Sequence, residues 1–279
     1  MKTVLTLLAV VSVAACGQPS TAVSGPPSAG KLVAVLQQKS PRDVASGFGS
    51  IWVSNGPSGS VTRIDPTTDK PIATINTDAP SVIAVSADAI WVTSNQDVNV
   101  TRIDPLTNSV VGTVDPGGSG PIAIAIFDGY VWVANHDGDP TGSVAKIDPA
   151  KMKVVDLIHV GAASDAGPVW IAVGAGSLWV DVDNISAVVR IDPIKDTVIA
   201  TIPVLFGCGE VVANDHDVWV AGACGPGVTH IDPATNSKVG VENEFGVARP
   251  LRSEKVPSGS VPARGLIAST PAPARSWGS

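Results

Sequence analysis

The sequence predicts an all-β protein, a β-propeller built from four-stranded antiparallel blades. A unit of about 40 residues recurs five times, and each copy carries a Trp-Val pair followed by Ile-Asp-Pro. The tryptophans of these pairs are Trp52, Trp91, Trp132, Trp179 and Trp219. Each unit contains four short apolar runs without helical spacing, which is typical of a propeller blade. Abundant Gly and Pro, with few aromatic residues, fit many short strands joined by turns.

The N-terminus is typical of a lipid-anchored exported protein. Residues 1–15 are interpreted as a signal peptide, because Lys2 precedes an apolar run, Val4 to Val13, that is too short to span a bilayer. Val13-Ala14-Ala15-Cys16 resembles the bacterial lipobox, which implies lipid attachment at Cys16 and a location at the cell envelope, on the outer face of the membrane or in the periplasm. A plain secretory signal is the alternative. Residues 16–30 lack an apolar stripe and are predicted to form a flexible tether.

Residues 31–247 are predicted to form the propeller. In the first unit, Ile51-Trp52-Val53 lies on the second strand and should be covered on both faces by neighbouring blades, because it is apolar on successive residues. The third strand ends at Asp65-Pro66, a pair that favours a type I turn. Asp128-Gly129 in the third unit suits a two-residue hairpin in which both residues have positive φ.

Length variation falls on one face of the predicted propeller. The unit's opening residue precedes its tryptophan by eleven residues in every copy, as from Pro41 to Trp52. The connections after the second and fourth strands vary in length instead, and in a propeller both emerge on the same face. We expect ligand-binding loops on this variable-loop face, with neutral drift of surface loops as the alternative.

The repeats resemble a known family. Trp-Val-Ser-Asn at 52–55 and Trp-Val-Ala-Asn at 132–135, each followed by a strand that ends in Ile-Asp-Pro, are similar to the YVTN repeat family of β-propellers. The resemblance extends to the streptogramin B lyase group and covers residues 31–247. Members of that group carry a catalytic His and Glu on late blades with a bound magnesium. This chain has no late blades on which to match them, so no catalytic residue is transferred.

Polar residues at the variable-loop face are the candidate ligand-binding residues. They are Asn55, Asn95, Asn135, His136, Asp137, Asp139, Asp181, Asp183 and Asn184. The loop 135–141 concentrates oxygen and imidazole groups but lacks the alternating carboxylates and distal Glu of a calcium loop, so a turn capped by its own Asn and Asp side chains is favoured over a metal site. We predict no metal and no cofactor.

No catalytic constellation stands out in the sequence. His159, His216 and His230 are not placed to pair with a Ser or Cys nucleophile, and the chain has neither a Gly-rich phosphate loop nor a Cys pair with zinc spacing. Cys208 and Cys224 both map to the variable-loop face. A disulfide between them is the expectation for an exported protein, and two free thiols are the alternative.

The two ends of the repeat region suggest a ring that is incomplete. Residues 31–36 read as an outer strand without its own blade, yet residues 248–279 lack the repeat and carry five basic residues against one acidic residue. That composition cannot bury a core, so we predict a disordered or out-of-frame tail and an incomplete six- or seven-blade ring. Such an arc would be prone to associate. A closed five-blade ring is the rival arrangement.

The function predicted from the sequence is that of an exported, lipid-anchored binding module, with a protein, peptide or glycan ligand on the variable-loop face. The formal net charge of −7 is concentrated outside the tail, which argues against nucleic acid as a partner. The alternative is a metal-dependent lyase of the streptogramin B lyase type that acts on a cyclic peptide or lactone. Propellers host both activities, so the fold does not choose between them.

Overall fold

The computed structural model describes residues 35–38, 40–137, 142–161, 167–183, 185–204, 209–222 and 227–242. These residues form five four-stranded antiparallel sheets arranged as blades, which confirms the predicted fold class. Nowhere in these ranges is there a helix long and apolar enough to cross a membrane. The predicted signal peptide, tether and C-terminal tail lie outside the described residues, and so do Cys16, Cys208 and Cys224.

Each blade runs from an inner to an outer strand in chain order. The first blade consists of β1 (Pro41–Gly47), β2 (Ser50–Asn55), β3 (Ser60–Asp65) and β4 (Lys70–Asn76). The second consists of β5 (Ile83–Val85), β6 (Ile90–Ser94), β7 (Asn99–Asp104) and β8 (Ser109–Val114). The third consists of β9 (Ser119–Phe127), β10 (Tyr130–Asp137), β11 (Ser143–Asp148) and β12 (Lys153–His159). The fourth consists of β13 (Pro168–Gly174), β14 (Ser177–Val182), β15 (Ala187–Asp192) and β16 (Thr197–Pro203), and the fifth of β17 (Glu210–Ala213), β18 (Val218–Ala221), β19 (Val228–Asp232) and β20 (Ser237–Glu242).

The turns opposite the variable-loop face follow the local sequence. Asp128 and Gly129 have φ values of 49° and 77°, as the hairpin prediction requires. The Asp-Pro turn is longer than the predicted type I turn, because the N–H of Asp69 donates to the carbonyl oxygen of Asp65 and Asp69 adopts a left-handed φ of 57°. The equivalent left-handed residues in the later blades are Asn108, Met152, Asp196 and Asn236.

The aspartate that opens each Asp-Pro turn is held in its charged form by local hydrogen bonds. In the first blade, the hydroxyl and the backbone N–H of Thr67 donate to the Asp65 carboxylate, which lowers the pKa of Asp65 below its ordinary value of 3.8. The same direction of shift holds for Asp104, Asp148, Asp192 and Asp232. The repeated Asp is therefore a turn-stabilising residue.

The apolar core lies between consecutive blades. Four repeat tryptophans are fully buried, each in a cluster with apolar side chains of the next blade: Trp52, Trp91, Trp132 and Trp179. Trp52, for example, packs with Ile90 and Ile103 of the second blade. We call the side of a blade that carries this tryptophan its leading side, and the side that receives the preceding blade's tryptophan its trailing side.

A basic side chain links each of the first four blades to the next one. These residues are Arg63, Arg102, Lys146 and Arg190, and each lies over the tryptophan ring of its own blade. Arg190 donates to the carbonyl oxygen of Pro233 at 2.6 Å and to Asn236 Oδ1 at 2.8 Å, both in the Asp-Pro turn of the fifth blade. We call this contact the inter-blade bridge. It gives the Asp-Pro turns of the second to fifth blades the additional role of acceptor for the blade before each of them.

The bridge between the second and third blades is the weakest of the four. Arg102 reaches the carbonyl oxygen of Pro149 only at 3.5 Å. Met152 occupies the left-handed position that is Asn236 in the fifth blade, and its thioether is a poor acceptor for a guanidinium. Arg102 Nε is buried without a hydrogen-bond partner in the structure, while its terminal nitrogen pairs with Asp88 of its own blade at 2.6 Å.

The two end blades do not pack on each other. Among the described residues, β1 and β17 lack the packing that joins the innermost strands of consecutive blades, as an open arc requires. Trp219 is only half-buried, and its ring stacks on His230 with the centroids 4.1 Å apart. We would expect each repeat tryptophan to be packed between adjacent blades like Trp52, and this expectation is wrong for Trp219, because no described blade follows the fifth.

Candidate functional site

A cavity of about 300 Å³ opens on the variable-loop face between the first and second blades. The side chains of Arg42, Asn95 and Gln96 line it and are exposed, together with the backbone around Pro80 and Ser81. Amides supply both donors and acceptors, and the guanidinium supplies donors that favour a carboxylate or a hydroxyl. The cavity thus presents hydrogen-bonding groups to a polar ligand, above a core of packed strands.

Gly56 sets the position of Arg42 at this cavity. A Cβ atom at Gly56 would lie 2.9 Å from Arg42 Nε and 3.3 Å from the carbonyl oxygen of Pro80. Contacts that short force a neighbour to move, so a side chain at this position would displace the stem of Arg42. The loop after β2 therefore needs glycine at this point if the guanidinium is to lie along the cavity wall.

Asn55 and Asn135 are buried at the ends of their strands. Asn55 Nδ2 donates to Thr62 Oγ1 at 2.9 Å, and Asn135 Nδ2 donates to the carbonyl oxygen of Pro116 at 3.1 Å. The Oδ1 atom of each has no hydrogen-bond partner in the structure. Asn55 lines a second cavity, of about 430 Å³, on the trailing side of the first blade. Both asparagines hold the ends of their strands, whereas Asn95, the third candidate asparagine that the structure describes, is exposed.

His136 and Asp183 meet across the junction of the third and fourth blades. His136 Nε2 lies 3.4 Å from Asp183 Oδ2, and both side chains are partly exposed. Gly167 lies against the imidazole, and any side chain at that position would clash with the ring. A histidine next to a carboxylate is an arrangement that can accept or donate a proton, so this pair is the part of the face best suited to chemistry.

Asp181 serves a structural contact between blades. Its side chain is fully buried on β14, and Oδ2 accepts the backbone N–H of Gly209 at 2.7 Å, just before β17. A carboxylate that accepts a backbone N–H at this junction orders the entry to the fifth blade. Of the two candidates Asp181 and Asp183, Asp183 is therefore the one whose carboxylate reaches the surface.

The remaining candidates lie wholly or partly outside the described residues. Asp139 and Asn184 lie outside the described residues, and of Asp137 only the backbone, at the end of β10, is described. Within the described ranges, no group of three or more His, Cys, Asp or Glu side chains is arranged to hold a metal ion.

Of the exposed polar residues at the cavity, the sequence analysis missed Gln96, the neighbour of the candidate Asn95, and also Arg42. Arg42 directly follows Pro41, the opening residue of the first unit, and the same position in the later units holds Ser81, Ile122, Val169 and Gly209. The sequence did carry a signal for Arg42, because a charged side chain occurs in the first unit at a position that is small or apolar in the other four. The register irregularity between Pro41 and Asp43 turns this part of β1 toward the cavity.

The chain is similar in structure to two propeller-containing proteins. No protein-family model matches the chain, and no curated protein matches it. Hydrazine synthase of Kuenenia stuttgartiensis superposes over 79% of this chain and 70% of its own, with a TM-score of 0.60 and 18% sequence identity. A catalytically inactive virginiamycin B lyase from Staphylococcus aureus, solved with quinupristin, superposes over 74% of this chain and 71% of its own, with a TM-score of 0.63 and 17% identity. At these identities the likeness shows the propeller fold alone.

Proposed function

We propose that this protein is an exported, lipid-anchored binding module of the YVTN-repeat kind, which holds a polar peptide or glycan on its variable-loop face. The observation that carries the proposal is the cavity between the first and second blades, where Arg42, Asn95 and Gln96 present exposed hydrogen-bonding groups. Sites for polar ligands combine a few convergent polar groups with a rigid support, and here the fully buried Trp52 and Trp91 lie in the blades that support the loops.

The charge of the cavity indicates the kind of ligand. Arg42 has no ion pair with any described residue, so its guanidinium is available to a carboxylate of the ligand. Asn95 and Gln96 can read hydroxyl or amide groups beside it. We therefore expect a peptide or glycan that carries both a carboxylate and neutral polar groups.

The test is a screen of the full-length chain on immobilised peptides and glycans, followed by isothermal titration of the best binder with site variants. Arg42→Gln removes a charge-assisted hydrogen bond and should weaken binding about tenfold or more. Gly56→Val should act in the same direction, because it displaces the Arg42 stem. His216→Ala, an exposed substitution in the hairpin on the opposite face, is the control and should have no effect. A ligand footprint on the Asp-Pro turns, or unchanged affinity in Arg42→Gln, would contradict the proposal.

The alternative function is a lyase that opens a cyclic peptide or lactone, and the His136–Asp183 pair is the observation that favours it. In that case the imidazole would act as the general base, oriented by the carboxylate. The structural neighbour that was solved with quinupristin makes this compound the first probe. Ring opening would be followed by liquid chromatography and mass spectrometry, with and without magnesium. If the protein opens the ring, and His136→Ala abolishes this activity while His216→Ala retains it, the lyase function would replace the binding proposal. If the wild type does not open the ring, the lyase function would be contradicted.

A further inference from the structure

The two ends of the blade array carry complementary surfaces. We propose that the leading side of the fifth blade binds the trailing side of the first blade of a second copy of this chain, so that copies associate head to tail. The contact would reproduce the junction that occurs four times inside the described part of the chain.

The leading side of the fifth blade keeps the residues that a next blade would cover. Val212 is 54% exposed and pairs across the sheet with Trp219, which is itself only half-buried. Val211 packs with the cluster of the fourth blade, so strand alternation directs Val212 to the opposite side. In the first blade the residue equivalent to Val212 is Ala45, which packs against the second blade. Val212 and Trp219 thus form an apolar patch at a position that is covered in the earlier blades.

The trailing side of the first blade offers the matching surface. Val44 is 62% exposed and pairs with Val53 of β2. In the second blade the equivalent pair is Ile83 with Val92, so Val44 is the counterpart of Ile83. Ile83 is buried in the cluster of Trp52. Val44 therefore occupies the position on which the tryptophan of a preceding blade would pack.

The first blade also carries unused acceptors for an inter-blade bridge. Lys146 of the third blade donates to the carbonyl oxygen of Pro193 at 3.0 Å and to Asp196 Oδ1 at 2.7 Å. The equivalent residues of the first blade are Pro66 and Asp69, and Asp69 is exposed and makes no side-chain hydrogen bond or ion pair with the described residues. His230 stands at the donor position of the fifth blade, where its ring stacks on Trp219 and its Nε2 lies 2.7 Å from Asp217 Oδ1 of the same blade. A contact between the other ring nitrogen of His230 and Asp69 would be the counterpart of the Lys146–Asp196 pair.

The partner in this inference is another copy, joined through unlike surfaces. The leading side carries tryptophan with a basic residue, and the trailing side carries aliphatic residues with acceptors, so neither side matches itself. Within one copy the two sides do not meet among the described residues. A contact between unlike surfaces leaves one of each open at the ends, so association proceeds beyond two copies unless the assembly closes into a ring.

Analytical ultracentrifugation of the purified full-length chain tests this inference. The wild type should form species larger than a dimer as its concentration rises from roughly 1 to 100 µM, the range in which an interface of micromolar affinity becomes populated. Val44→Glu and Val212→Glu each place a charge on one side and should weaken association at least about tenfold. Both valines are exposed, so circular dichroism should show an unchanged fold. If a Glu variant fails to fold, Val44→Ser and Val212→Ser are milder substitutions at the same two positions. Val111→Glu is the matched control, because Val111 is 52% exposed on the outer strand β8, away from both sides.

The decisive experiment mixes the two Glu variants in equal amounts. Each variant alone should be monomeric. In the mixture, the intact leading side of the Val44→Glu variant can bind the intact trailing side of the Val212→Glu variant. The resulting heterodimer should grow no further, because its two outer sides both carry a Glu substitution. A wild type that stays monomeric at every concentration, a mixture that stays monomeric, or equal dissociation by Val111→Glu would each overturn the inference.

Discussion

Truncation of Trp132 to Ala tests whether the blades are held together by the packing between them. Trp132 is fully buried among residues of the fourth blade, its Nε1 donates to the carbonyl oxygen of Phe127 at 3.2 Å, and the ammonium of Lys146 lies 5.1 Å from its ring centroid. Loss of a buried tryptophan costs about 3 to 5 kcal/mol through lost burial and the cavity left behind. We place this variant at about 4 kcal/mol, because the cavity would lie between two sheets that cannot both close over it.

The chain supplies its own control for this prediction. Trp219 holds the same position in the fifth blade, but no described blade follows it and its ring is partly exposed beside His230. Trp219→Ala should therefore cost less, about 1 to 2 kcal/mol, since no closed cavity between two blades would be left behind. Urea denaturation followed by far-ultraviolet circular dichroism measures both free energies of unfolding. Equal costs for the two variants would refute the reasoning, because the next blade would then contribute nothing.

Three other predictions concern the anchor, the cysteines and the turns. Cys16→Ser should move the protein from the membrane fraction to the soluble fraction of cells without changing its thermal midpoint, and unchanged fractionation would argue against lipid attachment. A Cys208–Cys224 bond should stabilise by about 3 kcal/mol, so thiol counting on the unfolded, unreduced protein should find neither cysteine free. The pKa of Asp65 is lowered by hydrogen bonds from Thr67, so its stabilising effect should be fully present above its ordinary value of 3.8 and be lost as the pH falls further. As the pH falls below 3.8, the thermal midpoint of the wild type should consequently fall more than that of Asp65→Asn. Identical plots of thermal midpoint against pH for the two proteins would contradict the stabilising role of the Asp65 charge.

Much of the fold could be predicted because the repeat fixes local chemistry. The tryptophan period located the second strand of every blade, and Asp128-Gly129 located a hairpin whose φ values are both positive. The inter-blade bridge had a visible signal too, since a basic residue follows the tryptophan by eleven positions in three units, as Arg63 follows Trp52. Its role could not be read from one blade, because the acceptors belong to the next blade.

The candidate site was harder to predict because strand alternation fails at its edge. The pairing of β9 with β10 shifts register between Ala134 and Asn135, so the direction of a side chain at the strand end cannot be counted from the tryptophan. Asn135 and Asn55 consequently lie inside the structure, although their sequence context resembles that of an exposed turn. His136, one residue further, lies at the surface beside Asp183.

The methionine at the turn of the third blade has a consequence for how the array comes apart. Arg63 and Arg190 each bind a carbonyl and a side-chain oxygen of the next blade, whereas Arg102 has only a long contact to Pro149 because Met152 offers no oxygen. The junction after the second blade is thus the seam along which thermal fluctuations or a pulling force would separate the array, into a pair and a trio of blades. Amide protons on either side of this seam would exchange together as two cooperative blocks, rather than as five separate blades or one whole.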